Sequence, residues 1–297
     1  QEPISASLPP QSIRRLKRLP RLTLSLAKLA QKDSPGDLQP HAVFMGTGWG
    51  ALSETHDFLA RLAATEEQFP SPTDFVGSVH NGPASQVAIM FGATGPNITA
   101  SDGDYSFEQA LLAASLMMGD SAEPAFVLGA DEGHETFSPL LDGSIAPGSP
   151  LADGGGALVV SRQADGAKKC SIAIPFYGRG VDGAVANLIA ALGADWQSRC
   201  GLVMAGIPAA YTQVGEAQLA EFVQRAGPML PVVRYRRLTG EFASASAVAA
   251  ALAASMLDEG VIPGALAEGS DIVLDGRMNK ILILGFGQNI TAMELSR

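Results

Sequence analysis

Two carboxylates, Asp104 and Glu241, stand where chemistry could be done. Asp104 lies in the stretch Gly95-Pro96-Asn97-Ile98-Thr99-Ala100-Ser101-Asp102-Gly103-Asp104-Tyr105-Ser106-Phe107-Glu108-Gln109-Ala110-Leu111. It reads as a short strand, a sharp turn and the start of a helix. Glu241 follows Leu238-Thr239-Gly240. Such a pair could exchange protons with a substrate or bind a metal. A plainer reading is better: Asp102 and Asp104 open a helix, whose free N–H groups favour acidic and capping residues, and Glu241 pairs with Arg236 or Arg237. The other chemical residues are sparse. His41, His56, His80 and His134 have no ligand spacing, and Cys170 and Cys200 are too few and too far apart for a metal site or a disulfide framework. They read as buried, reduced thiols, so no metal and no cofactor is expected. Asp153-Gly154-Gly155-Gly156 lacks the Lys-Ser/Thr of a phosphate loop and reads as a tight turn before a strand. His80, in Ser78-Val79-His80-Asn81, reads as a hydrogen-bonded core or interface histidine.

The elements that must position these residues alternate. Apolar runs at 42–46, 98–101, 125–130, 157–160, 171–175, 202–205, 231–233 and 280–284 read as strands, with residues 291–295 pairing beside the last of them. Helical stretches at 54–64, 81–91, 105–118, 181–192, 215–225 and 244–257 lie between them. Ser12 is positioned to cap a basic amphipathic helix over Ile13–Leu19, with Pro20 kinking or restarting it toward Leu29. Residues 1–11 read as a loop, and 131–155 as turn-rich. The alternation implies an α/β fold with largely parallel sheets. Its order repeats, giving halves 1–165 and 166–297 in one compact unit.

Composition bounds the function. Hydrophobic residues make up 46% of the 297 and charged ones 17%, a core-rich balance that excludes disorder. A net charge of −10 argues against nucleic acid as the partner. No run is long enough to span a membrane, no signal peptide is visible, and a cytoplasmic protein is expected. Against that charge, Arg14, Arg15, Lys17, Arg18 and Arg21 form a basic cluster, either a solvated helix face or a patch for an acidic carrier protein or partner subunit.

Several segments in order carry a family resemblance: the Arg14–Arg18 cluster, Gly46-Thr47-Gly48-Trp49-Gly50, Ser78-Val79-His80-Asn81, Gly95-Pro96-Asn97-Ile98-Thr99, Asp153-Gly154-Gly155-Gly156-Ala157, Leu238-Thr239-Gly240-Glu241 and Gly285-Phe286-Gly287. Together the chain resembles the β-ketoacyl synthases of the thiolase superfamily. It is most similar to the short, chain-length-factor-like branch found with aryl polyene clusters. The resemblance implies a thiolase-like α/β fold, two similar halves in a layered αβαβα arrangement. The family's first strand, which precedes the basic helix, has no counterpart here, so residues before Gln1 are expected to be missing.

Active members of that family carry a cysteine at a helix N-terminus and two histidines that stabilise developing charge. Where the resemblance places the cysteine stands Asp104. The first histidine's loop reads Ala205-Gly206-Ile207-Pro208-Ala209, and the second histidine's place is Glu241, with Arg236 where a lysine is usual. All three positions are degenerate, and a carboxylate cannot form the thioester. The resemblance therefore implies a catalytically inactive, chain-length-factor-like subunit of polyketide- or fatty-acid-like biosynthesis. It would pair with an active β-ketoacyl synthase, meeting acyl carrier protein only indirectly. Ile98, Thr99, Ala100 and Ser101 would pair across the heterodimer axis. Phe107, Leu111 and Leu112 would line the acyl tunnel, and Arg14, Arg15, Lys17 and Arg18 would face a carrier or partner. The alternatives are a thiolase-fold hydrolase or decarboxylase using Asp104 and Glu241, and a homodimeric acyl-binding protein.

Overall fold

The computed structural model describes residues 6, 8–34, 38–119, 123–162, 170–227, 230–266 and 269–297. Most of the expected N-terminal loop lies outside them. The chain forms two units, Gln1–Ala164 with Phe242–Val248, and Asp165–Glu241 with Ala249–Arg297. The first unit contains α1 (Pro10–Ile13), α2 (Arg18–Asp33), β1 (Ala42–Gly46), α3 (Leu52–Ala64), α4 (Pro72–Ser78), α5 (Gly82–Phe91), β2 (Asn97–Ala100), α6 (Ser106–Met117), β3 (Ala125–Asp131), α7 (Ser138–Leu141) and β4 (Gly154–Val160). The second contains β5 (Ser171–Arg179), α8 (Ala184–Leu192), α9 (Trp196–Arg199), β6 (Cys200–Gly206), α10 (Thr212–Ala226), β7 (Val232–Arg234), α11 (Arg236–Thr239), α12 (Ala245–Glu259), β8 (Val261–Ile262), β9 (Ile272–Val273), β10 (Lys280–Gly285) and β11 (Asn289–Ser296). The first turn of α12 belongs to the first unit.

Each unit is built on one sheet. The first has the order β2-β1-β3-β4 and the second β5-β11-β10-β6-β7. In the first, β1 pairs parallel with β2 and β3, and β4 runs antiparallel. In the second, β6 pairs parallel with β7 and β10, and β11 lies antiparallel between β10 and β5. The central strands β1, β3 and β6 are buried at every residue. That is why they read as unbroken apolar runs instead of alternating ones.

Two local expectations are corrected. The basic stretch is not one helix: α1 ends at Ile13, Lys17 is extended, and α2 begins at Arg18. Inside a continuous helix Pro20 would remove an internal hydrogen bond, whereas at the third residue of α2 its missing N–H costs nothing. The run Gly154–Gly156 is not a turn but the head of β4, paired with Gly129–Asp131 of β3. Its glycines make room: a Cβ at Gly156 would collide with the Ala247 carbonyl at the start of α12. The turn-rich stretch also holds α7, and α4, α9, α11 and the β8–β9 pair appear beyond the elements expected from sequence.

Candidate functional site

The turn that carries Asp104 leaves β2 at Ala100, passes through a 3-10 turn at Gly103–Tyr105 and enters α6. Its brace is Ser106, whose Oγ accepts the Asp102 N–H (2.9 Å) and donates to the Gly103 carbonyl (2.7 Å). Asp102 occupies the cap position without making a side-chain cap bond, and no side-chain cap opens α6. The Ser106 hydroxyl thus ties the turn together from within α6. Asp104 itself is half-buried.

The Gly-Thr-Gly-Trp-Gly loop after β1 wraps this turn. A Cβ at Gly46 would collide with the Ser106 backbone, and one at Gly48 with Ala243 and Gly103. His80 is exposed, and its ring lies against Gly50.

A residue the sequence reading passed over holds this loop. Asp131, the fully buried last residue of β3, takes Thr47 Oγ1 (2.7 Å) and Trp49 N (2.7 Å) on Oδ1. On Oδ2 it takes Ser244 N (2.8 Å) and Ser244 Oγ (2.6 Å). Burial pushes its carboxyl above the usual range, against the pull of these four donors. Two residues on, Ser246 Oγ donates to buried Glu108 of α6 (2.9 Å). These bonds explain why Phe242–Val248 belongs with the first unit. Next to Asp131, Glu132 accepts Ser53 N (2.6 Å) and Ser53 Oγ (3.2 Å) at the head of α3, and the Leu19 N–H of α2. The signal in the sequence was an Asp-Glu pair closing an apolar strand, where unpaired acids would be costly.

The second unit holds Ala205, Arg236 and Glu241. Ala205 is buried near the end of β6, and the loop it leads into runs Gly206-Ile207-Pro208-Ala209. Glu241 Oε2 accepts Ala209 N (3.4 Å) and pairs with Arg236 Nη1 (3.0 Å). Arg236 is 6% exposed and Glu241 34%. Tyr235 lies directly against Gly206. Gln218 braces the Phe-Gly loop, taking Gly287 N (2.8 Å) and donating to the Gly287 carbonyl (3.1 Å). The loop after β6 is thus closed on an ion pair.

Other candidates are placed as follows. Phe107 and Leu111 are buried and Leu112 half-buried on α6, with Phe107 against Gly129 of β3. Ile98, Thr99 and Ala100 are part-exposed on β2, an edge strand, and Ser101 follows, exposed. Of the basic cluster, Lys17 pairs with Asp57 and Arg18 with Asp153, while Arg14 and Arg15 are exposed. Burial pushes the Cys200 thiol up to about 12, which removes it as a nucleophile. Among the described residues no group of three or more His, Cys, Asp or Glu is arranged to hold a metal, and no helix is long and apolar enough to cross a membrane.

The arrangement matches known proteins. Residues 1–154 match the family model for the N-terminal domain of β-ketoacyl synthases. The chain belongs to the β-ketoacyl synthase family. No curated protein sequence matches it. Among solved structures, a β-ketoacyl synthase from Burkholderia phymatum aligns with all of this chain and 86% of its own, at 16% identity and a TM-score of 0.74. A type II PKS ketosynthase complex with its acyl-carrier protein aligns with all of this chain and 88% of its own, at 16% and 0.73. The ishigamide ketosynthase/chain length factor aligns with 99% of this chain and 84% of its own, at 21% and 0.70. The fold is therefore that of the ketosynthases, α/β and thiolase-like.

Proposed function

We propose that this chain is a catalytically inactive ketosynthase-like subunit, a chain length factor, that pairs with an active β-ketoacyl-ACP synthase. The observation that carries this reading is the Glu241–Arg236 pair, with Glu241 also bonded to Ala209 N. It occupies the position of a catalytic histidine, in a chain that also has Asp104 for the cysteine and Ala205-Gly206-Ile207-Pro208-Ala209 for the other histidine's loop. A buried arginine already paired with its own carboxylate offers an oxyanion less net charge than a free cation would.

The edge strand supports pairing. β2 has β1 on one side only, and Thr99 Oγ1 is buried with no hydrogen-bond partner. The helices packed on β2, α5 and α6, leave Ile89 (74%) and Leu116 (79%) exposed. An open edge flanked by apolar side chains favours strand addition from a second subunit. In that complex Ile98–Ser101 lie at the interface. Leu112 is the wall residue best placed to meet an acyl chain, and Phe107 and Leu111 support it from inside. The relevant biosynthesis is of the polyketide or aryl polyene type, in the cytoplasm, with acyl carrier protein met through the partner and Arg14 and Arg15.

Co-expression with a ketosynthase that retains Cys-His-His tests this. A 1:1 heterodimer whose condensing activity depends on this chain and survives Asp104→Ala is the expected result. Turnover by this chain alone, abolished by Asp104→Ala, would establish a thiolase-fold hydrolase or decarboxylase instead. A stable homodimer indifferent to any ketosynthase would establish an acyl-binding protein.

A further inference from the structure

Where α1 gives way to α2, the basic junction rests on buried acid. Glu54, in the first turn of α3, is 9% exposed, and its Oε2 has no hydrogen-bond partner. Its carboxyl faces the backbone N–H of Lys17. Glu132 stands beside it, holding Ser53 and the Leu19 N–H. The two acids therefore grip the same junction from adjacent positions: Glu54 at Lys17, Glu132 at Leu19.

Every neighbouring element brings charge. On α3 these are His56 and Asp57. From the junction and α2 come Lys17, bonded to Asp57 and to the Ser53 carbonyl (3.3 Å), and Arg18, paired with Asp153 ahead of β4. After β3 come Glu132, Glu135 and His134, whose ring lies 4.8 Å from that of His56. From α4 come Asp74, paired with Arg61 (2.8 Å), and Gly77, which packs on the Glu54 stem. Lys17 acts on Glu54 and Arg18 on Glu132, but each is shared with another carboxylate, Asp57 and Asp153. A second negative charge beside Glu132 is therefore only partly offset.

We propose that Glu54 and Glu132 form a proton-operated clasp: with a proton on Glu54 the pair holds the Lys17–Leu19 junction to the head of α3, and loss of that proton loosens the junction and the Arg14–Arg15 turn it carries. Two adjacent carboxylates in a dry site cannot both ionise without cost. The unpartnered Oε2 is the atom on which the proton fits. Burial first, then the Glu132 charge, push Glu54 up to about 7, and burial raises Glu132 as well. The acid form is therefore the clasped form. Opening hydrates the second charge and releases the N–H groups of Leu19 and Ser53. Arg14 and Arg15 would then be presented rigidly in mild acid and loosely near neutrality.

Hydrogen exchange at Leu19 and Ser53 on the full chain tests the clasp, with rates corrected for intrinsic pH dependence. Opening is expected to rise by up to about tenfold per pH unit between the ordinary value of 4.5 and about 7, then level off. Glu54→Gln should hold protection constant over that range, and His134→Gln should leave the step in place. A step that persists in Glu54→Gln, or that vanishes in His134→Gln, overturns the proposal and assigns the effect to the histidine pair. Should Glu54→Gln fail to fold, the carboxyl carbon shift of Glu54 in the unaltered chain decides. A midpoint near 7 supports the clasp, and one near 4.5 sinks it.

Discussion

The loops that leave β1 and β6 start from corresponding strands, each set between a parallel edge strand and a parallel inner one. They are fastened by opposite chemistry. The loop after β1 is gripped by Asp131 through four neutral donors in a site with no solvent exposure. The loop after β6 is held by a one-third-exposed glutamate that shares itself with an arginine. The first is an arrangement for rigidity, with every lone pair used. The second is a replacement, a charge pair filling a place that family resemblance assigns to catalysis. The comparison teaches that one loop is held by a saturated buried acid and the other by a part-exposed charge pair, so the first depends far more on its anchor.

The sharpest way to break that contrast is Asp131→Ala. The hydroxyls of Thr47 and Ser244 can turn elsewhere, but the N–H groups of Trp49 and Ser244 would be left buried and unpaired. At roughly 2 kcal/mol for each orphaned donor, the expected loss is about 4 kcal/mol, read as a lower urea midpoint at unchanged slope. A loss below about 1 kcal/mol would mean the loop does not depend on the clamp.

Glu241→Ala should cost less, about 1–2 kcal/mol, because Glu241 is partly solvated although Arg236 is not. Replacing both residues together, Arg236→Met with Glu241→Met, should recover most of that loss, since no unpaired charge remains. Equal losses at Asp131 and Glu241 would erase the distinction between clamp and replacement.

Glu54 supplies a third contrast, because it is a buried acid without a full set of donors. Its raised value means that the folded chain holds a proton that the unfolded chain has released. Its contribution to stability is complete below about pH 4.5 and lost as pH rises to about 7. Thermal unfolding across that window should fall more steeply in the unaltered chain than in Glu54→Gln. Parallel curves would show that Glu54 ionises as freely when folded as when unfolded.

The sequence was legible where one physical signal dominated. Unbroken apolar runs marked β1, β3 and β6 because strands covered on both faces need no alternation. The Gly46–Gly50 loop was legible as a glycine-rich motif of the family, and its glycines leave room for the Ser106 backbone, Ala243 and the His80 ring. Asp104, Ala205 and Glu241 stood out because the family resemblance leads one to expect other residue types in those surroundings. Asp131 and Glu54 were not legible, since a buried and a solvated acid look alike in sequence, and only the fold supplies a full set of donors to one and leaves an oxygen of the other without any. The start of α2 was misread because basic residues suit a helix face as well as the turn before one. Pro20 suits a restart as well as a kink, and here it sits in the first turn of α2.

Arg18 refines the contrast at its weakest end. Its guanidinium meets both oxygens of Asp153, through Nε and through Nη2 at 2.9 Å, yet it lies at the surface. Asp153 in turn precedes the glycine run of β4, so the pair ties the head of α2 to a strand that packs against it. An exposed pair, even a two-pronged one, contributes only about 0.5–1 kcal/mol and is weakened by salt. Arg18→Ala should therefore lower stability by that amount in dilute buffer, and by less in ~1 M salt, where the screening length falls to about 3 Å. Asp131→Ala should lose the same amount at both salt concentrations, because no ions enter its site. An Arg18 effect insensitive to salt would place this pair with the buried clamps, and the line between structural anchor and adaptable surface would have to be drawn further out.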